Sequence, residues 1–176
     1  KYYMAERILL PFLSDWCRSY GYKLLICGRA IGNDFEERTF FSSITNADYD
    51  FISRASNVSS YSHIDSAGIV VSIDSSMGYE SLARKNRTAI FSIRSEILGW
   101  EDFEFGYPGE YTNNGAFWTN QIDQSEFKRV LEFIHTVSLS QWISTLDGIL
   151  PEIIKSNPNN SLVSAEINKL LSSIQD

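Results

Sequence analysis

The run Asp74-Ser75-Ser76-Met77-Gly78-Tyr79-Glu80 has the chemistry of an anion site. Two adjacent hydroxyls, a glycine that lets the backbone come close to a ligand, and the free amides of a helix starting there would hold a phosphate at the positive end of the helix dipole. Glu80, one turn further in, would accept hydrogen bonds from sugar hydroxyls. The competing reading is structural: Asp74, Ser75 and Ser76 are capping residues that start a helix with no ligand involved.

Other constellations are weaker. Asp48-Tyr49-Asp50 is formally D-x-D, a metal-holding pattern, but it leads into a strand in an unrelated context. His63 and His135 lie far apart with no cysteine beside them, so no zinc site is expected and the metal assignment is none. Ser75 and Ser76 lack the Gly-x-Ser-x-Gly setting of a hydrolase nucleophile. Glu101, Asp102 and Glu104, beside Trp100 and Phe103, could present a carboxylate and an aromatic face to an acceptor sugar, although most acidic loops are simply solvated. Tyr107, Tyr111, Phe117 and Trp118 read as anchors of a long loop rather than as a sugar platform.

These residues need elements to position them. Ile8, Leu9, Phe12, Leu13 and Trp16 recur on one helix face that Gly21 ends. Tyr22 to Cys27 reads as a strand covered on both faces and closed by Gly28, with a loop through Gly32. Phe35 to Ile44 reads as a helix, Asp50 to Ser53 as a strand, and Tyr61 to Ser66 as a helical turn. Gly68 to Ile73, the helix after Ser76, and Thr88 to Ile93 form a strand–helix–strand unit with a right-handed crossover. Residues 99–118 are broken by four glycines and a proline and read as a long functional loop, with a short strand at Ala116 to Thr119. Helical patterns follow over 124–174, with a turn at Asn157, Pro158, Asn159 and Asn160. Alternating strands and helices predict an α/β fold: a Rossmann-like, mainly parallel sheet with helices on both faces, as one domain over 1–176. Ligands of such sheets bind outside the carboxyl ends of the strands, where residues 74–80 fall.

Composition narrows the partners. With 176 residues and 43% hydrophobic content the chain can bury a core. A net charge of −7 leaves no basic face for a nucleic acid. Its apolar runs are much shorter than the roughly 20 residues of a membrane span. Cys17 and Cys27 show no framework spacing and read as buried thiols in a reducing setting. The chain opens on Lys1 directly into helical periodicity, which reads as a piece of a longer polypeptide.

In Tyr61-Ser-His-Ile-Asp65, Ala67-Gly-Ile-Val-Val-Ser-Ile-Asp74, Ser75-Ser-Met-Gly-Tyr-Glu80, Ser81-Leu-Ala-Arg84 and Thr88-Ala-Ile-Phe91, the order of features resembles the donor-binding, C-terminal half of GT-B glycosyltransferases. Within that group the chain is similar to bacterial surface-carbohydrate transferases, including the Kdo (3-deoxy-manno-octulosonic acid) transferases of capsule and lipopolysaccharide assembly. The later runs Phe105-Gly-Tyr-Pro-Gly109, Gly115-Ala-Phe-Trp118 and Phe127-Lys-Arg-Val-Leu131 keep the same order, and the resemblance spans roughly Tyr22 to Trp142.

The resemblance implies that Ser75, Ser76 and the amides of Met77 and Gly78 hold the donor phosphates, with Glu80 near the ribose. It puts Arg54 on phosphate or base, and Gly28 and Arg29 beside the phosphates from the other side; both arginines are equally readable as surface ion-pair formers. It implies a nucleotide-sugar donor such as CMP-Kdo, no further cofactor, a glycan or glycolipid acceptor, and an N-terminal GT-B half supplying the catalytic group. The setting would be cytoplasmic, or peripheral at the inner face of the membrane. No motif fixes the base, so CMP, UDP and GDP stay open. A sugar-nucleotide epimerase of related fold and a non-catalytic nucleotide-binding or interaction domain are the alternatives.

Overall fold

The computed structural model describes residues 1, 3–44, 48–56, 59–154 and 161–174. The turn expected at Asn157 to Asn160 lies outside the described residues. Helix α1, Met4–Tyr20, buries Leu9, Leu13 and Trp16, and Gly21 at φ +71° closes it by returning its amide to the Cys17 carbonyl. The left-handed conformation is one that glycine adopts without a Cβ penalty.

Strand β1, Leu24–Ile31, pairs in parallel with β2, Tyr49–Arg54, across helix α2, Phe35–Ile44. Two expectations are corrected here. Gly28 does not end β1, which continues to Ile31 with a register shift between Cys27 and Ile31. Nor is the strand covered on both faces: burial alternates along it, and Leu25 and Ile31 are exposed. The continuous apolar run concealed a period of two. Cys27 therefore falls on the open face, and Cys17 is only half-buried.

Helix α3, Ser59–Ser66, leads to strand β3, Val70–Ser72, then helix α4, Ser76–Ala83, and strand β4, Thr88–Phe91. Strand β5, Trp118–Thr119, completes a parallel sheet in the order β3-β4-β5. The molecule is α/β and Rossmann-like, with its described ladders in two small parallel sheets rather than one continuous sheet.

Every residue of β4 is buried, and its alternation explains the layers. Ile90 shares a face with Ser72 and Trp118, its register partners, and α4 packs there. Phe91 points to the other face and meets Phe127 edge-on at 5.3 Å; Phe127 also meets Phe12 of α1. Phe127 belongs to α6, Gln124–Thr136, whose buried stripe is Phe127, Val130, Leu131 and Ile134. Helices thus cover both faces of the β3-β4-β5 sheet.

Helix α7, Leu139–Asp147, starts with a reciprocal capping box between Ser138 and Gln141 and buries Trp142 and Leu146. Two short helices escape the sequence pattern: α5, Arg94–Leu98, and α8, Leu150–Ile153. The last helix, α9, Ser161–Ile174, leaves Val163, Ile167 and Leu171 more than half exposed. Among the described residues no helix is long and apolar enough to cross a membrane.

Candidate functional site

The turn between β3 and α4 lies at the carboxyl edge of the sheet, where the amides of a following helix are normally available to a ligand. Here much of that capacity is used within the turn. Ser75 adopts extended backbone and its Oγ accepts from the Met77 amide at 3.2 Å, an N-cap bond. The Gly78 amide donates to the Ser75 carbonyl at 2.9 Å, and the Ser75 amide donates to Ser72 Oγ at 3.3 Å. Gly78 is buried against β3: a Cβ there would stand 2.5 Å from Ser72 Cβ, so its missing side chain serves helix–strand packing. Ser76 is exposed, and its hydroxyl has no hydrogen-bond partner among the described residues.

Glu80, one turn along, accepts a hydrogen bond from the Tyr61 hydroxyl on α3. That bond raises the Tyr61 phenol above its ordinary value, with burial adding to the rise, while the positive charges of Arg84 and Arg54 oppose it. Arg54, the last residue of β2, donates from Nε to the Ser56 carbonyl at 3.2 Å and reaches toward the Arg29 carbonyl at 3.5 Å. Glu80 and Tyr61 thus join α4 to α3, and Arg54 and Arg29 join β2 to β1.

The end of β1 is already supplied with an anion. Glu37 of α2 accepts from the Arg29 amide at 3.0 Å and from the Ala30 amide at 3.1 Å. Gly28 makes room for this arrangement, since a Cβ would meet the Phe51 ring at 2.7 Å and Glu37 Oε2 at 3.1 Å. The Arg29 side chain is largely exposed, 3.7 Å from Glu37. What β1 offers a phosphate is therefore this guanidinium rather than its amides. Asp50 of the D-x-D run pairs with Lys23 at 2.6 Å, at the end of β2 where the strand begins.

Two residues of this region carry no motif. Arg94, 2% exposed, pairs through Nε with Asp74 and through its other arm with Glu6 of α1 at 2.8 Å. It holds the β3–α4 turn, the start of α5 and α1 together. Asn120, 4% exposed, follows β5; its Oδ1 accepts from the Phe105 amide at 3.0 Å, while its Nδ2 has no partner among the described residues. A buried donor left unsatisfied costs about 1–3 kcal/mol. Their only sequence signal was position, just beyond a strand's carboxyl end.

Asn120 lies in the wall of a cleft of about 350 Å³ that also includes Ser95, Trp100, Glu101, Glu104 and Gln121. The aromatics of the long loop divide around it. Phe105 is buried, stacked on Trp118 at 4.2 Å and on Tyr79 of α4 at 5.8 Å, and Phe117 is fully buried: these are anchors. Trp100 is 56% exposed and stacks on Phe103 at 5.7 Å. Tyr111 packs edge-on against Phe105, and Tyr107 stays exposed.

Residues 1–171 match the model of a family described as "putative O-antigen biosynthesis protein". No curated protein and no solved structure matches the chain.

Proposed function

This chain belongs to the O-antigen biosynthesis family, and from that premise we propose that it binds a nucleotide-activated sugar as the donor-binding part of a surface-polysaccharide glycosyltransferase. The observation that carries the reading is the outward hydroxyl of Ser76 beside the Ser75 cap, at the carboxyl edge of a parallel sheet, one turn from a Glu80 held by Tyr61. Family membership supports a role in polysaccharide assembly; the donor and the reaction are this reading's own.

In the reaction an acceptor hydroxyl attacks the anomeric carbon of the donor sugar. The bond from that carbon to the phosphate oxygen breaks, the nucleotide leaves as an anion, and the hydroxyl proton passes to a base. The Ser76 hydroxyl and the positive end of α4, which Ser75 caps, face the charge that grows on the leaving phosphate, with Arg29 and Arg54 on its far side. Glu80 accepts from the ribose hydroxyls. The base belongs to a GT-B partner half, and CMP-Kdo is the donor tested first. The occupied amides of Met77 and Gly78 favour one other reading, in which the turn is only a helix cap and the chain a non-catalytic interaction domain.

Variants separate the two. Ser76→Ala and Glu80→Gln lower nucleotide affinity about tenfold, the loss of one or two hydrogen bonds to a charged group, with the melting temperature unchanged. Unchanged affinity in both variants of a nucleotide-binding wild type removes this turn as the donor site.

A further inference from the structure

The cleft beyond β4 and β5 is separate from the β3–α4 turn but adjoins it. Arg94, which pairs with Asp74 of that turn, is followed directly by Ser95, which lines the cleft. The lining carries three carboxylates, Glu96, Glu101 and Glu104, and among the described residues no lysine or arginine. A phosphate or another anion is repelled by such a wall. Glu96 is engaged, accepting from the Ile122 amide at 2.6 Å. Trp100 offers an exposed indole face at the rim, braced by Phe103. The buried Asn120 has its oxygen taken by the Phe105 amide, and its amide nitrogen has no partner among the described residues.

Carboxylate acceptors and an aromatic plate, beside the buried Asn120 amide, match a neutral sugar ring, which offers hydroxyls on its edge and C–H bonds on its face. We propose that this cleft binds a neutral hexosyl unit of the acceptor glycan. The choice of a sugar over another uncharged polyol rests on the polysaccharide reading above. Neighbouring parallel strands lie about 5 Å apart, so a ligand beyond β5 sits within reach of one beyond β3.

The test is a titration of the ¹⁵N-labelled full chain with neutral methyl hexosides, following the Asn120 side-chain amide and the Trp100 indole signals, with inorganic phosphate as the anionic comparison. Saturable movement of both signals with at least one hexoside is expected. Trp100→Ala, exposed enough to leave folding intact, should raise the Kd at least tenfold and Glu104→Gln several-fold, while nucleotide affinity stays at its wild-type value. The proposal is overturned if no hexoside moves these signals, if phosphate moves them instead, or if hexoside binding survives both substitutions. Hexoside binding in a chain that binds no nucleotide would leave the cleft standing and remove the donor reading.

Discussion

Ser75 and Ser76 are neighbours with opposite roles. The Ser75 hydroxyl is spent on the Met77 amide, so Ser75→Ala should cost about 1 kcal/mol of stability, read as a lowered denaturant midpoint. Ser76→Ala should leave that midpoint in place. A second residue-scale prediction concerns Asp65 of α3, which accepts from Arg84 Nε at 2.7 Å and Asn86 Nδ2 at 3.0 Å. These bonds, Arg84's first, hold its carboxyl at about 2, below the ordinary value of about 3.9. The unfolded chain therefore takes up the proton first as pH falls. The stabilisation is complete above about pH 4 and disappears toward pH 2. The melting-temperature gap between wild type and Asp65→Asn should be constant at neutral pH and close over that window. That the serines and Glu80 share one turn and the helix after it was legible because strand, polar turn and helix are contiguous in sequence. Arg94 was not, because its partners lie 20 and 88 residues away.

At the scale of elements, the contact between α4 and β3 leaves no room for a side chain at Gly78. Gly78→Ala would push a methyl to 2.5 Å from Ser72 Cβ and 2.6 Å from its Oγ. Overpacking of this kind costs typically 1–3 kcal/mol, and urea titration should show it, with partial recovery in Gly78→Ala combined with Ser72→Gly. Periodicity found α1, α6 and α7, whose buried stripes are long enough to declare themselves. It missed α5 and α8, of five and four residues, which are too short to show a helical period. It misjudged β1 because Leu24 to Cys27 is apolar on both faces, and only the fold decides which face is covered. The glycine read as an opening for ligand at position 78 is an opening for a strand, a distinction that spacing alone does not carry.

For the whole molecule, Arg94 ties the first helix to the sheet edge. Its side chain is 3% exposed, and those of its partners Asp74 and Glu6 are 15% and 18% exposed. Arg94→Met leaves two largely buried carboxylates without their cation and should cost about 3 kcal/mol, toward the lower end for broken buried pairs, seen as a drop in the urea midpoint. Adding Glu6→Gln should restore part of it. The α/β class was readable from the alternation of strands and helices, whereas the division into two described sheets was not, since hydrogen-bonded neighbours are a tertiary choice. The central claim is that this chain, a member of an O-antigen biosynthesis family, holds a nucleotide-activated sugar at the β3–α4 turn. Calorimetric titration with CMP, UDP, GDP and ADP tests it most directly. The account predicts saturable binding of one pyrimidine or guanine nucleotide, with CMP favouring the Kdo donor; a folded chain that binds none of the four contradicts it.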